Sequence, residues 1–298
     1  MWGEAVTPRA QRWLLSGPPL IYLLLFFAIP AAIMVVASFR HPGEFGGLAP
    51  LAGSGDPDEI AGLTLEGYER LLGDPIYVEL FLKSFLYATL TTAICLGLAY
   101  PLALMIARSP KRFRDLLVLL VILPFWSNFL IRVYAWMIIL GPQSALSRAV
   151  NGVAALFGAG PVPLLFSPVA VLIGLVYVHL PFMVLPLYAN LEKHDPALLD
   201  AAQDLGAGAW DRFWRVTFPL SLPGVYAGAA LVFIPALGIF AIPDILGGTD
   251  GILIGNLIKQ QFYDARDWPF GSVLSIVLTA AAIGFAGLAA WFARRQRV

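Results

Sequence analysis

The sequence contains little charge and a single cysteine. Asp, Glu, Lys and Arg together make up 13% of its 298 residues, about half the fraction that is usual in soluble domains. Cys95 lies inside an apolar run, so neither an internal disulfide nor a cysteine-based metal site is available. The sequence also lacks a GxxxxGK(S/T) phosphate-binding loop, an HExxH pair and a GxGxxG motif. We therefore expect no catalytic residue, no metal, no cofactor and no ATP hydrolysis by this chain itself.

Long hydrophobic runs take the place of charge. Hydrophobic residues make up 59% of the chain, and six runs are long enough, at about 1.5 Å per residue, to cross a hydrocarbon core of about 30 Å. The first run, residues 13–39, is longer than the apolar region of a signal peptide, so we expect it to be retained. The pattern predicts an all-α integral membrane protein with one transmembrane domain over residues 1–298. The predicted spans are at about 19–39, 80–107, 115–140, 168–189, 223–246 and 269–292.

Most basic residues fall in alternate segments between these spans. Twelve of them lie before the first span, between the second and third, between the fourth and fifth, and after the sixth. The positive-inside rule therefore predicts that these segments and both termini are cytoplasmic. The outer face then carries an acidic segment, residues 40–79, together with segments 141–167 and 247–268. The twelve basic residues are Arg9, Arg12, Arg108, Lys111, Arg112, Arg114, Lys193, Arg212, Arg215, Arg294, Arg295 and Arg297.

Two of the outer segments contain helical patterns. Residues 63–74, LTLEGYERLLGD, place Leu65, Tyr68 and Leu71 at helical spacing, which predicts a short amphipathic helix on the membrane surface. Segment 141–167 contains the helical stretch SALSRAVNGVAALF but is broken by glycine and proline. We expect it to form an external re-entrant or interfacial helix and not a seventh span.

The cytoplasmic segment between the fourth and fifth spans is charged and helix-forming. Asp195 is placed to cap a helix whose first turn contains Pro196, and the stretch ALLDAAQDL follows. Gly206 and Gly208 are expected to stop that helix and turn the chain. A second short helix, AWDRFWRVTF, comes next. The sequence predicts two helices joined by a glycine elbow at the membrane surface.

Two interpretations of this hairpin remain open. Its apolar side could rest on lipid, or it could dock a partner protein. Five acidic and three basic residues lie between 192 and 215, a balance that anionic inner-leaflet lipids should repel, so docking is favoured. Pro219 and Pro223 are expected to break the chain before the fifth span.

The spacing from Asp200 to Pro219 resembles the signature of a known family. Asp200-Ala201-Ala202, three residues, Gly206, nine residues and then VTFP is similar to the EAA signature of importer-type ABC transporter permeases. In that family the element is a coupling helix that fits a cleft on the ATPase subunit. The resemblance implies a type I importer permease of MetI-like architecture, with a close-packed elbow and an acidic contact to the ATPase. The residues to which it assigns coupling are Asp200, Ala201, Ala202, Asp204, Gly206 and Pro219.

The resemblance covers nearly the whole chain. The blocks PFWSNFLIRVYAWMIIL, FIPALGIFAIPDILGG and RDWPFGS are similar to PotB-type permease subunits of spermidine/putrescine importers. This implies import of polyamines. One departure bears on the cargo, because family members commonly have Glu where this chain has Ile239. An amino-acid derivative, an opine or a metal chelate therefore remains an alternative cargo.

One acidic residue, Asp244, lies clearly inside an apolar stretch. An intramembrane carboxylate usually faces a bundle interior or a water-filled path, and aromatic faces beside it would suit an ammonium cation. The alternative is a helix cap near the outer boundary, and each aromatic could serve helix packing or the interfacial belt instead. Arg132 is expected to snorkel or to pair with an acid, and His179 to be packed and neutral. The candidate pathway residues are Asp244, Phe240, Trp126, Tyr134 and Tyr177.

Together these patterns and the resemblance imply one multi-pass permease subunit of an ABC importer in a bacterial inner membrane. The expected partners are a cytoplasmic ATPase pair docking at residues 195–219, a second similar permease, an extracytoplasmic substrate-binding protein and membrane lipid, with no nucleic acid. The rival is a self-sufficient secondary transporter or channel. That class predicts inverted repeats and several buried ionisable residues, whereas this sequence offers only Asp244 and Arg132.

Overall fold

The computed structural model describes residues 8–51, 62–158 and 160–295. Within these ranges the chain is helical and contains two isolated β-bridges but no strand, which confirms the all-α prediction. It divides into two compact units, Met1–Pro75 with Ile258–Val277, and Ile76–Leu257 with Leu278–Val298. The single domain over residues 1–298 stays a prediction. Of the predicted charge pattern, Asp56, Asp58, Glu59 and Arg297 lie outside the described residues.

The first unit begins with a long apolar helix. α1 (Pro8–Leu23), a π-turn (Leu24–Ala28) and α2 (Ile29–Ala37) follow one another without a break. The predicted short amphipathic helix is present as α3 (Glu66–Gly73), with Leu71 buried; its place on the membrane surface stays a prediction. Parts of α13 (Ile254–Tyr263) and α14 (Trp268–Arg295) complete this unit, where the guanidinium of Arg70 bonds Asp267 at 3.1 Å.

The second unit contains the remaining helices. α4 (Pro75–Arg108), α8 (Pro168–Leu191) and α11 (Phe218–Gly238) form its core together with the shorter elements. α8 and α11 approach most closely where α11 has glycine, because a Cβ at Gly224 or Gly228 would collide with α8. The shorter elements are α5 (Lys111–Ile122), a 3₁₀ turn (Leu123–Trp126), α6 (Phe129–Leu140), α7 (Ala145–Leu156), α9 (Ala197–Asp204), α10 (Ala209–Arg212), a π-turn (Phe213–Thr217) and α12 (Ala241–Leu246).

Six stretches of the described residues are long and apolar enough to cross a membrane, as predicted. The third differs from the predicted 115–140. That range is divided by the 3₁₀ turn that contains Pro124 and by extended backbone at Ser127 and Asn128, where the Asn128 side chain caps α6. The stretches are Leu15–Ala37, Pro75–Arg108, Phe129–Leu156, Pro168–Leu191, Ala209–Gly238 and Trp268–Gly287. The third stretch contains both α6 and α7. The helix predicted in segment 141–167 is present as α7.

The fifth predicted span, 223–246, is wrong at both ends. Its helix stops at Gly238, Ile239 is extended, and α12 begins at Ala241. Pro243 has no N–H for the carbonyl of Ile239, so a continuous helix would be interrupted there. Pro223, by contrast, lies inside α11.

The predicted break before this span at Pro219 is also wrong. α10, the second π-turn and α11 form one helix, Ala209–Gly238. In the π-turn, the N–H of Phe218 donates to the carbonyl of Phe213, one residue further back than in an α-helix. This wider turn lies directly before Pro219 and gives the proline ring room against the preceding carbonyls.

Candidate functional site

The elbow predicted between the fourth and fifth spans is present in the second unit. Asp195 Oδ1 accepts from the N–H of Ala197 at 3.0 Å and caps the start of α9. At the other end, the N–H of Ala207 donates to Ala202 O at 3.0 Å and that of Gly206 to Gln203 O at 2.8 Å. These two bonds form a Schellman motif, which ends α9 and starts the turn into α10.

The two glycines of the elbow have different conformations. Gly206 has φ +84°, the left-handed region that favours glycine, whereas Gly208 is extended with φ −67°. A Cβ added at Gly206 would meet nothing within 4 Å. The chain therefore needs glycine at 206 for its backbone angle, and the space beside it is open.

A polar bond and a group of aromatic rings connect the two arms of the elbow to the following helix. The guanidinium of Arg212 donates to the side-chain oxygen of Gln203 at 2.5 Å and joins α10 to α9. Trp210 and Trp214 meet edge to face at 5.7 Å between ring centroids, and Phe213 lies 5.1 Å from Trp214. These indole rings remain accessible, since Trp210 is 73% exposed.

The predicted coupling residues form part of this accessible surface. Asp200, Ala201 and Asp204 are exposed on α9, and Ala202 is half-buried. No residue of α9 is fully buried, and Leu205 at its end is 89% exposed. The turn at Gly206 is therefore closed by backbone bonds, and α9 buries none of its own side chains fully against the rest of the chain.

A cavity of about 430 Å³ separates α9 from the ends of the long helices. Leu104 and Arg108 of α4, Leu191 of α8 and Thr217 of the π-turn line it on one side, and Leu199 of α9 on the other. A second depression of about 320 Å³ continues along α9 past Asp200 and Arg212, and Pro219 lies in the helix beyond the π-turn. The elbow therefore meets the helical core mainly at its two ends.

An ion pair fixes the end where α8 leaves the core. The guanidinium of Arg114 donates to Glu192 Oε1 at 2.6 Å and also to the carbonyls of Ala107 and Ser109. Hydrogen bonds from Tyr188 and Arg114 lower the pKa of the Glu192 carboxyl below its usual 4.5. The pair joins the α4–α5 turn to the start of the elbow.

The other end of the elbow is tied to α4 inside the core. The Tyr100 hydroxyl lies 2.8 Å from Ser221 Oγ, and both side chains are buried. The Tyr100 ring meets Phe213 edge to face at 5.4 Å and Phe218 at 5.9 Å. A displacement of α10 would therefore act on α4 through the π-turn.

Of the predicted pathway residues, Asp244 and Phe240 lie close together. They are four residues apart, both exposed, and α12 buries Ile242 and Leu246 on its opposite side. The amide nitrogen of Asn256 donates to Asp244 Oδ1 and to the carbonyl of Phe240. Sequence reasoning missed Asn256, because a single amide at the start of a short amphipathic helix carries no pattern of its own.

The other three predicted pathway residues are aromatic. Trp126 and Tyr134 are exposed, at the 3₁₀ turn and on α6. Tyr177 instead packs edge to face on Trp136, 5.5 Å between centroids, within an apolar cluster that also contains Ile239. Tyr177 therefore contributes to helix packing, which was the alternative given for each aromatic residue.

Two ionisable residues of the spans have aromatic or backbone partners. No acid in the described part of the chain forms an ion pair with Arg132; its guanidinium lies 5.1 Å from the ring centroid of Phe125. His179 is buried, with Nδ1 2.8 Å from the carbonyl of Leu175, as predicted for a packed histidine. Among the described residues, no group of three or more His, Cys, Asp or Glu side chains could hold a metal ion.

Comparison with known proteins shows the family to which this chain belongs. The family model described as "Binding-protein-dependent transport system inner membrane component" matches residues 99–298. The spermidine/putrescine transport system permease protein PotB of Escherichia coli K12 is 42% identical over 276 residues, 92% of this chain and 94% of that one. The protein of the same name from Haemophilus influenzae is 41% identical over 258 residues, 87% and 85% of the two chains. A bacterial alginate ABC transporter, crystallised with a periplasmic protein bound to alginate pentasaccharide, has the same fold, with TM-score 0.73, 17% identity and 98% of each chain covered.

Proposed function

This chain belongs to the family of binding-protein-dependent transport system inner membrane components, and we propose that it forms half of the pathway of an ATP-driven polyamine importer. A second, similar permease completes the pathway, since six helices rarely enclose a substrate path alone. A separate pair of ATPase subunits hydrolyses ATP on the cytoplasmic side. A substrate-binding protein delivers the cargo at the outer face.

The exposed elbow is the observation that supports coupling to an ATPase. α9 buries none of its residues in this chain, and the segment that follows it presents Leu205, Trp210 and Trp214 at the surface near acidic side chains. Exposed aromatic groups of this kind are enriched where proteins dock. A push on the elbow would reach the core through the Tyr100 contacts with α11 and the Arg114–Glu192 pair.

Substitutions at Gly206 test this coupling in the reconstituted importer. Gly206→Ala and Gly206→Arg both place an L-residue at φ +84°, with a similar backbone penalty of about 1–2 kcal/mol. Only arginine projects a long side chain into the open space beside the elbow. We expect Gly206→Arg to abolish ATP-dependent uptake while Gly206→Ala keeps a measurable part of it.

Gly73→Arg, at an equally open position on α3, is the matched control and should transport normally. Pull-down of the ATPase should fail for Gly206→Arg alone. Unchanged uptake by an assembled Gly206→Arg complex would show that the elbow does not couple ATP hydrolysis to transport.

The proposed cargo follows from the relatives and from the chemistry of α12. Two relatives at 41–42% identity over most of this chain are spermidine/putrescine permeases. Asp244 and Phe240 offer a carboxylate and a ring on one exposed side of α12, the groups that an alkylammonium ion favours. Ile239 occupies the position where family members commonly have Glu, the departure that left another cargo open. Its side chain packs into an apolar cluster.

Uptake by the reconstituted importer tests the cargo directly. Radiolabelled spermidine should enter ATP-loaded proteoliposomes only when the substrate-binding protein is present. Competition by an amino-acid derivative, an opine or a metal chelate, with no uptake of spermidine, would replace the polyamine with that solute. Uptake by this subunit alone without ATP would instead support a secondary transporter.

The proposed orientation has both termini in the cytoplasm. Its support is that the α4–α5 turn and the elbow, which carry seven of the twelve basic residues, meet at the Arg114–Glu192 pair. In a Cys95→Ser background, Gly73→Cys should react with a membrane-impermeant thiol reagent in intact cells. Gly208→Cys should react only after permeabilisation, and the reverse pattern would invert the topology.

A further inference from the structure

The cavity of about 430 Å³ behind α9 is lined by both apolar and charged side chains. Its charged part comes from the end of α4, the start of α5 and the chain that leaves α8. Small-ligand sites have volumes of about 300–1,000 Å³ and combine an apolar wall with a few polar groups. The cavity therefore suits a ligand that has both a charged part and an apolar part. The apolar part of the wall consists of Leu104, Leu191, Leu198, Leu199 and Leu220.

The acidic side chains of this wall already accept hydrogen bonds. Glu192 Oε1 accepts from the guanidinium of Arg114 at 2.6 Å. Asp195 Oδ1 accepts from the N–H of Ala197 at the start of α9, where the helix dipole also favours a negative charge. Among the described residues, no acid forms an ion pair with Arg108, which lines the cavity and the depression that continues from it. The charge of the wall that remains for a ligand is therefore positive.

Three further polar groups of the wall have no hydrogen-bond partner among the described residues. They are Arg114 Nε, His194 Nε2 and Thr217 Oγ1, and all three atoms are buried. Arg114 Nε can only donate, the hydroxyl of Thr217 can donate, and so can His194 Nε2 in one of its tautomers. A buried donor without a partner costs about 1–3 kcal/mol. These groups therefore favour an occupant that brings acceptor atoms.

The cavity lies at one end of the membrane-spanning stretches. Arg108 is the last residue of the second stretch, Leu191 is the last of the fourth, and Leu220 lies inside the fifth. The leucines are thus placed at the edge of the hydrocarbon core, and Arg108 at the boundary where phospholipid phosphates lie. In the proposed orientation this boundary is cytoplasmic, the side on which basic pockets between membrane helices bind lipid head groups.

The acidic balance of the hairpin does not decide the charge of this cavity. The count of five acidic and three basic residues covers positions 192–215 only, whereas Arg108 and Arg114 come from the two sides of the α4–α5 turn. Two of the five acids, Asp204 and Asp211, do not line the cavity. Repulsion of anionic lipid by the exposed side of α9 is therefore compatible with attraction behind it.

We propose that this cavity binds an anionic phospholipid, with its phosphate at Arg108 and its acyl chains along the leucines of α4 and α11. The phosphate oxygens accept charge-assisted hydrogen bonds from the guanidinium. The lipid then connects α4 to α9 and stabilises the elbow from behind. The site is independent of the cargo and of the partner that docks on the exposed side of α9. A soluble phosphate could supply the same oxyanion, so the test has to separate the two sources.

Melting of the purified full-length chain in neutral detergent micelles, followed by circular dichroism, tests the site. Short-chain phosphatidylglycerol well above its dissociation constant should raise the melting temperature by about 5 °C. Phosphatidylcholine of the same chain length, inorganic phosphate and glycerol 3-phosphate should each leave it unchanged. An equal rise with either soluble phosphate would replace the lipid with a soluble anion, and an equal rise with phosphatidylcholine would overturn recognition of the charge.

Substitutions locate the effect. Arg108→Gln should abolish the rise, whereas Arg112→Gln, which removes a basic charge near the start of α5 but outside the cavity, should keep it. Thr217→Val exchanges an unpaired hydroxyl for a methyl group of similar size. It should raise the melting temperature without lipid and reduce the further rise with phosphatidylglycerol.

Two results would overturn the proposed site. A full rise in Arg108→Gln would show that the lipid binds elsewhere. An equal loss in Arg108→Gln and Arg112→Gln would show diffuse attraction to the basic turn. If Arg108→Gln does not fold, Leu199→Trp, which fills the cavity from α9 and keeps every charge, should abolish the rise instead.

Discussion

Replacing Gly224 by alanine should force α11 away from α8. A Cβ at this position would lie 2.8 Å from Asn190 Cβ, 3.1 Å from Pro186 O and 3.2 Å from Leu187 Cα. These atoms belong to the backbone or to the base of a side chain, so a rotamer change cannot relieve the contact. The helices must separate instead, as expected where a small residue permits close approach of two membrane helices.

The size of the effect follows from two opposing contributions. Overpacking of a closely packed site destabilises by about 1–3 kcal/mol, and alanine regains about 0.5–1 kcal/mol over glycine inside a helix. We therefore expect Gly224→Ala to lower the free energy of unfolding by about 1–2 kcal/mol. At Gly228 the closest atom, 2.6 Å away, is Met183 Sδ, the mobile part of a flexible side chain, so Gly228→Ala should be milder.

Gly97→Ala is the matched control, because it lies inside α4 with nothing within 4 Å of its Cβ. It should stabilise by about 0.5–1 kcal/mol. Reversible unfolding of the purified chain in mixed detergent micelles, followed by circular dichroism, would rank the three variants. If Gly224→Ala proved as stable as Gly97→Ala, the close approach of α8 and α11 would not be what glycine provides at this position.

Three further substitutions test the supports of the elbow. Tyr100→Phe should lower the free energy of unfolding by about 0.5–1.5 kcal/mol through loss of the buried bond to Ser221, whereas Tyr263→Phe, at an exposed ring, should be neutral in the same assay. Asp195→Ala removes the cap of α9 and should destabilise that helix by about 1 kcal/mol, seen as faster amide hydrogen exchange over residues 197–204, with no change in α7. Because the folded-state pKa of Glu192 is lowered, its stabilising contribution is present above pH 4.5 and is lost as the pH falls through that folded-state pKa. The melting temperature of the wild-type protein should therefore drop more steeply below pH 4.5 than that of Glu192→Gln. Parallel curves of melting temperature against pH would contradict this.

The elbow could be predicted from sequence because its causes are local. An aspartate before a proline caps the start of α9, and a glycine after its last residue adopts a left-handed backbone angle that other residues resist. The six apolar stretches are equally local, since length and hydropathy alone decide whether a helix can span a membrane. Apolar periodicity likewise gave α3.

The breaks in the spans depend on tertiary structure. Pro101, Pro181 and Pro235 lie inside unbroken helices, so a proline in an apolar run does not reveal where the helix stops. A break inside a membrane protein requires other partners for the backbone groups that it frees. At residues 239–240 that partner includes the amide of Asn256, sixteen residues away.

The sequence by itself determined a six-span, all-α membrane protein with a capped, glycine-turned elbow, because hydropathy and helix-end chemistry act over a few neighbouring residues. Only the tertiary structure decided where the third and fifth spans are divided, how Pro219 is accommodated, and which residue supports Asp244. Each of these depends on a group supplied by another part of the fold or on a change of helix type, and neither leaves a periodic trace in the sequence.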